Sequence, residues 1–355
     1  MKKLNFGAGP CILPESVFEE SAQAVLDFNQ QGLSILEISH RSAAFESVIA
    51  EARSLVLELM GLDEKEYIAL FLHGGASLQF AMVPYNFLKT KAAYIDTGVW
   101  SQKAISEAQK IAPVSVVASS KQEGYKTIPV LDEIKETYDY LHLTSNNTIY
   151  GTQFSEFPST SGIPLIADMS SDIFSKPRDY SRFDLIYAGA QKNIGPAGTT
   201  IVVMKRSFME ASNDLNRFKI LDYAEHSKAE SMLNTPTVFS IYASLLNLRW
   251  LKSTTLEVIY RENSEKAKRL YEALDRYEWI LPFAETKSRS IMNVTFNLAN
   301  EASVQLFDSY CNKYDIHGLK GHRLVGGYRA SLYNALSLAS VERLIEVFDE
   351  VNKHV

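Results

Sequence analysis

Between residues 43 and 59 the apolar side chains Val48, Ile49, Ala52, Leu55, Val56 and Leu59 recur every three or four positions. That spacing lines them along one face of a helix, and Gly61 beyond them is a residue suited to the left-handed turn in which helices stop. The chain then changes register. Short apolar runs follow at 67–72, 92–95, 114–118, 140–144, 165–167, 185–188 and 200–204, each reading as a buried strand. Several are separated by helix-patterned segments, 78–88 and 101–110 among them. Strands alternating with helices predict a mostly parallel sheet covered by helices, an α/β arrangement.

Beyond Ser253 the pattern shifts to a long charged helix over 255–277, a strand over 290–296 and a closing helix over 341–351, which predicts a smaller α+β unit. At 355 residues the chain is longer than one core usually organises. The expected division is a large domain over 15–252 and a small one built from 1–14 plus 253–355, with no flexible tether between them. In parallel sheets ligands bind outside the carboxyl ends of the strands, so the polar residues that follow each run carry the chemical interest.

Composition narrows the classes. Hydrophobic residues make up 46% and charged residues 22%, ordinary globular values, and the net charge of −6 argues against a general nucleic-acid binder. The opening MKKLNFGAGPCILPESV lacks the apolar stretch of a secretory signal, and no apolar run approaches a membrane span, so a cytoplasmic enzyme without a membrane or nucleic-acid partner is expected. Cys11 and Cys311 are too few for a disulfide framework and read as two inert thiols. No metal site is read from the sequence.

Three strand ends carry candidate chemistry. His73-Gly74-Gly75-Ala76-Ser77 follows one apolar run and precedes a helix, a place for a phosphate cradle of backbone N–H groups or simply a tight turn. Asp168 ends another run, as a ligand to a cation or as a cap for the segment after it. Lys192 stands among small residues in Ala188-Gly189-Ala190-Gln191-Lys192-Asn193-Ile194-Gly195, as an exposed loop lysine or as a desolvated amine with lowered proton affinity. Together an aspartate, a lysine and a Gly-Gly turn at neighbouring strand ends are the parts a pyridoxal-phosphate site requires. Trp100, after Asp96-Thr97-Gly98, is a candidate to stack on the ring or a core residue. His40-Arg41, and His322-Arg323 with Arg329, form a separate cationic set that implies a doubly anionic substrate if the two converge.

These segments, in this order, resemble the phosphoserine aminotransferase family, class V aminotransferases with the type I fold of pyridoxal-phosphate enzymes. The matching blocks are 5–10 (NFGAGP), 37–42 (EISHRS), 74–80 (GGASLQF), 167–172 (ADMSSD) and 326–331 (GGYRAS), and they span the chain. The resemblance implies transfer of an amino group from L-glutamate to 3-phosphohydroxypyruvate, giving O-phospho-L-serine and 2-oxoglutarate in serine biosynthesis. It implies Ala76 and Ser77 in the phosphate cradle, Trp100 on the ring, Thr148 at the pyridine hydroxyl, Asp168 at the pyridinium nitrogen, Gln191 at the phosphate and Lys192 as the covalent anchor. It further implies a homodimer in which Asn234 and Thr235 reach the partner's cofactor phosphate. Arg329 would take the substrate α-carboxylate, and His40, Arg41, His322 and Arg323 the substrate phosphate or glutamate's distal carboxylate. Some members of the family carry arginine where this chain has Ser77, leaving it one cation poorer near the cofactor. The alternatives are an alanine:glyoxylate aminotransferase, a cysteine desulfurase, a nucleotide-binding module and a catalytically silent scaffold. Neither cysteine lies in an evident active-site loop, which weighs against the desulfurase.

Overall fold

Most of the apolar runs become strands because their side chains alternate between two covered faces, the exception being the edge run at 114–119, whose Val116 is exposed. The computed structural model describes residues 3–210, 212, 218–323 and 325–355. Among them, β1 (Tyr67–His73), β2 (Ala92–Asp96), β3 (Val114–Ser119), β4 (Leu141–Thr144), β5 (Leu165–Asp168), β6 (Leu185–Gly189) and β7 (Thr199–Lys205) form one sheet in the order β1-β7-β6-β5-β4-β2-β3. All neighbours pair parallel except β7, which runs against both β1 and β6. The expectation of a mostly parallel sheet holds, with that one strand reversed. Because β7 is reversed, its first residues Thr199 and Thr200 sit opposite His73 and Gly189, at the edge where the other strands end.

One face presents Phe71, Ile95, Leu143, Ala167, Ile186 and Ile201 to a core closed by α1 (Glu15–Leu26), α2 (Ala43–Met60) and the later α5 (Val238–Thr254). The other presents Leu70, Tyr94, Ile166, Tyr187 and Val202 to α3 (Gly75–Phe87) and α4 (Val99–Ala108). Helix α2 fits its sequence signals. The hydroxyl of Ser42 accepts from the Phe45 N–H at its start, and Gly61 ends it at φ 65°. Helix α3 begins at Gly75, three residues before the apolar periodicity announces it, because residues 75–77 are too small to contribute to that signal.

A further apolar cluster gathers Phe6 with α6 (Leu256–Arg276), β8 (Ile280–Pro282), β9 (Asn293–Leu298), α7 (Glu301–Lys313), β10 (Tyr328–Ser331) and α8 (Leu338–Asn352). Strands β8, β9 and β10 pair antiparallel. Strand β9 starts later than expected because Ser290 Oγ accepts from the N–H groups of Met292 and Asn293 and folds 290–292 into a turn. The closing helix starts earlier than expected because Ser337 caps it through the Ser340 N–H at 3.2 Å. Helix α6 spans two cores: Leu256 and Ile259 pack with the sheet, whereas Ala267, Leu270 and Leu274 pack with β9 and α8.

Candidate active site

The strand-end rule brings the predicted chemistry to one place. A cleft of about 460 Å³ opens at the carboxyl edge of the sheet, lined by Ala76, Ser77, Trp100, Thr148, Asp168, Gln191, Lys192, His322 and Arg329 among others. Asp168 is the last residue of β5 and is buried. Its Oδ1 accepts from the Ser170 N–H at 2.9 Å and the Ser170 hydroxyl at 2.6 Å. The turn-organising reading of this aspartate holds through one oxygen, while the residue also lines the cleft. Burial pushes the carboxyl above the usual range, opposed by the nearby Lys192 ammonium and the Ser170 hydrogen bonds.

Lys192 follows β6 and is not the exposed loop lysine of the simpler reading. Burial lowers its proton affinity to about 8, with Asp168 pulling up and Arg329 pushing further down. Its Nζ lies 5.9 Å from the centroid of the Trp100 ring. The indole N–H donates to Thr148 Oγ1 at 3.0 Å, and Arg329 Nη1 donates to the Thr148 carbonyl oxygen at 3.0 Å. One residue thus holds the aromatic wall and the cationic side of the cleft in fixed relation.

The Gly-Gly turn is built for close approach. Gly74 and Gly75 have φ of 89° and 64°, and a Cβ on Gly74 would lie 2.6 Å from Leu78 Cβ. They lead into α3, whose first residues Gly75, Ala76 and Ser77 line the cleft, and the N–H groups and positive dipole end of a helix start favour an anion. The donor set suits pyridoxal phosphate: a buried carboxylate for the ring nitrogen, an aromatic wall, an amine that is readily neutral, and a helix start for the phosphate.

Not every expected residue lines this cleft. His40 and Arg41 precede the cap of α2, and Arg41 is exposed, its N–H donating to Ser39 Oγ at 3.2 Å. Arg323 is also exposed, although it and Arg329 both depress the proton affinity of His322 after burial has done so. Asn234 and Thr235 are exposed; Asn234 Nδ2 lies 3.2 Å from Nδ1 of His73, the last residue of β1.

The structure also adds residues. Thr144, Asn146, Ser170, Ser171 and Gly198 line the cleft, and all but Gly198 lie at the ends of β4 and β5, where the strand-end rule pointed. Gly9 is a further one: at φ 140° it passes so close to the lysine segment that a Cβ would sit 3.5 Å from Gln191 Cγ and 3.7 Å from Lys192 Cγ. Cys11, read from the sequence as lying in no evident active-site loop, packs directly against that segment. Its N–H donates to the Gln191 carbonyl at 3.1 Å and its thiol to the Lys192 carbonyl. Burial raises the thiol to about 12, which keeps it a protonated donor rather than a nucleophile. Among the described residues no cluster of three or more His, Cys, Asp or Glu could hold a metal ion, and no helix is long and apolar enough to cross a membrane.

The family model for class-V aminotransferases matches residues 3–344. The chain is a class-V aminotransferase. A relative described as phosphoserine aminotransferase, from Flavobacterium psychrophilum, is 54% identical over 360 residues and covers all of both chains. The solved phosphoserine aminotransferase from Bacillus circulans subsp. alkalophilus superimposes with a TM-score of 0.95 at 42% identity over 99% of each chain. The pyridoxal-phosphate-bound one from Trichomonas vaginalis does so with a TM-score of 0.91 at 32% identity, over 98% of this chain and all of that one. This aminotransferase therefore has the type I fold that its sequence blocks implied.

Proposed function

We propose that this aminotransferase converts 3-phosphohydroxypyruvate and L-glutamate to O-phospho-L-serine and 2-oxoglutarate, reversibly, with pyridoxal phosphate as cofactor, in serine biosynthesis. The observation that carries the reading is the meeting of Asp168, Lys192, Trp100, His322 and Arg329 in one cleft, in a chain 54% identical along its length to a phosphoserine aminotransferase.

When bound, the cofactor supplies a carbonyl that takes up the amino group and a protonated ring that accepts electron density. The protein's residues supply the rest. Lys192, with its proton affinity near 8, would anchor the cofactor through its neutral amine and would hold or move the proton at the substrate α-carbon. Asp168 would keep the ring nitrogen protonated, and Trp100 would cover the ring face. Thr148 would meet the ring hydroxyl; Ala76, Ser77 and Gln191 would hold the phosphate. Arg329 takes the α-carboxylate as a bidentate fork, and His40, Arg41, His322 and Arg323 take the substrate's distal anion.

The same reading makes the enzyme a cytoplasmic homodimer in which Asn234 and Thr235 complete the partner's phosphate site, which fits their exposure here. It divides the chain into the domains 15–252 and 1–14 plus 253–355, which fits the separate core around Phe6, β9 and α8. Service to pyridoxine biosynthesis through a related phosphorylated oxo-acid belongs to the same chemistry. The test is a visible absorbance spectrum before and after L-phosphoserine, for the parent and Lys192→Ala. A yellow parent bleached by phosphoserine supports the reading; a yellow parent indifferent to it moves the substrate elsewhere in the family. A colourless protein that pyridoxal phosphate cannot turn yellow overturns it.

A further inference from the structure

Helix α6 carries a lysine that the proposed chemistry does not use. Lys266 is 1% exposed, and its Nζ donates to three backbone carbonyls, those of Leu332 at 2.9 Å, Tyr333 at 3.0 Å and Leu336 at 2.9 Å. Those three residues are themselves buried, in the turn between β10 and α8, where the Tyr333 carbonyl also accepts from the Leu336 N–H at 2.9 Å. Burial pushes the Lys266 amine down to about 7, and in its protonated form its three protons match the three carbonyls one to one.

The turn that Lys266 gathers is the junction between the two sides of the cleft. One turn of α6 earlier, Asn263 Nδ2 donates to Asn334 Oδ1 at 2.9 Å and to the Ser175 carbonyl at 3.0 Å. Asn334 in turn donates its backbone N–H to Asn193 Oδ1 at 3.2 Å and its Nδ2 to the Phe174 carbonyl at 3.1 Å. Asn193 is the residue after Lys192. The Tyr333 hydroxyl donates to the carbonyl of Ala8, a cleft-lining residue, at 3.0 Å. On the other side the turn is continuous with β10, whose second residue is Arg329.

We infer that Lys266, with Asn263, is a positioning residue: by gathering the Leu332–Leu336 carbonyls it sets where β10 holds Arg329 relative to Lys192. The inference rests on the reading of Arg329 as the α-carboxylate ligand. Its consequence is specific. Loosening the turn shifts Arg329, so every amino donor binds more weakly by the same factor, whatever its distal group. The Lys192 side has two further anchors outside the turn, Asn193 Nδ2 on the Ile173 carbonyl and Asn247 Nδ2 on the Asn193 carbonyl, so the chemical step changes little.

The experiment compares holoenzyme of the parent, Lys266→Met and Asn263→Ala. It measures KM and kcat for L-phosphoserine and L-glutamate, the dissociation constant for each donor by spectral titration, and Tm. The expected result for Lys266→Met is about a tenfold rise in KM and dissociation constant, equal for both donors, with kcat changed less than about threefold. Asn263→Ala should show the same pattern at about threefold. A lower Tm with unchanged KM and dissociation constant in either folded variant would make the network merely structural and overturn the inference. Should Lys266→Met not accumulate as folded holoenzyme, Asn263→Ala decides by the same criterion. If the parent ignores phosphoserine but accepts another amino acid, the substrate assignment fails while this inference is still read with that donor.

Discussion

The floor and the rim of the cleft are built on opposite principles. On the floor, Asp168 and Lys192 end or follow adjacent parallel strands, and burial has moved both away from their ordinary proton affinities. At the rim, half-buried His322 lines the cleft and the neighbouring Arg323 is solvent-exposed on a connecting segment. Desolvation is what changes a group's chemistry, and it is available only where the sheet and its helices exclude water. The floor is thus tuned for bond making in the free protein, whereas the rim offers charge in solvent. Its worth is realised when an anion or a second chain covers it.

This contrast is open to direct attack. Removing the floor amine with Lys192→Ala should lower kcat by at least about 10⁴-fold, the upper end of what one acid–base group contributes, with the anchor lost as well. A residual rate within tenfold of the parent would mean the floor does not carry the proton. Asp168→Asn keeps the shape but not the charge, and kcat in single-turnover assays should fall about 10² to 10³-fold. Arg329 sits between floor and rim. Arg329→Ala should raise KM for all amino donors about 100-fold, as for truncating a partly buried charge that binds an anion, and an effect limited to phosphorylated substrates would place it wholly on the rim.

Smaller effects test the rim and the tuning. His322→Ala and Arg323→Ala should raise KM about tenfold for substrates with a distal phosphate or carboxylate and leave L-alanine nearly unaffected, if L-alanine reacts at all. In the cofactor-stripped protein the rate of pyridoxal-phosphate uptake should rise with pH through about 8, because Lys192 reacts as the neutral amine and burial has lowered its proton affinity to that value. A midpoint near the ordinary lysine value would show that the floor is not desolvated. The smallest effect is Ser77→Arg, which adds a cation at the exposed start of α3 and should tighten cofactor retention about two- to fivefold, the scale of a solvent-accessible ion pair worth up to about 1 kcal/mol.

Much of the floor was legible from local pattern. The runs ending at Leu72, Ala167 and Ala188 mark β1, β5 and β6, and inspecting the polar residues after them leads to Gly74, Asp168 and Lys192. The rule would have reached Thr144, Asn146 and Ser170 too. Gly9 and Cys11 carried no such signal, since they reach the lysine segment from some 180 positions away through the path of the N-terminal segment. Lys266 was equally silent, one more charged residue on a helix whose polar positions mostly face water.

What the sequence alone determined is therefore the strands of the large sheet, the helices with clear apolar period, the direction of most strands and the residues of the floor. Those follow from side-chain period and from where a parallel sheet must leave its strand ends. The reversal of β7, the placing of Cys11 behind Lys192, the separation of Arg323 from the cleft wall and the gathering of three carbonyls by Lys266 were decided only in three dimensions. Each depends on which distant segments share one desolvated space, and desolvation is a property of the packed chain rather than of any stretch of it.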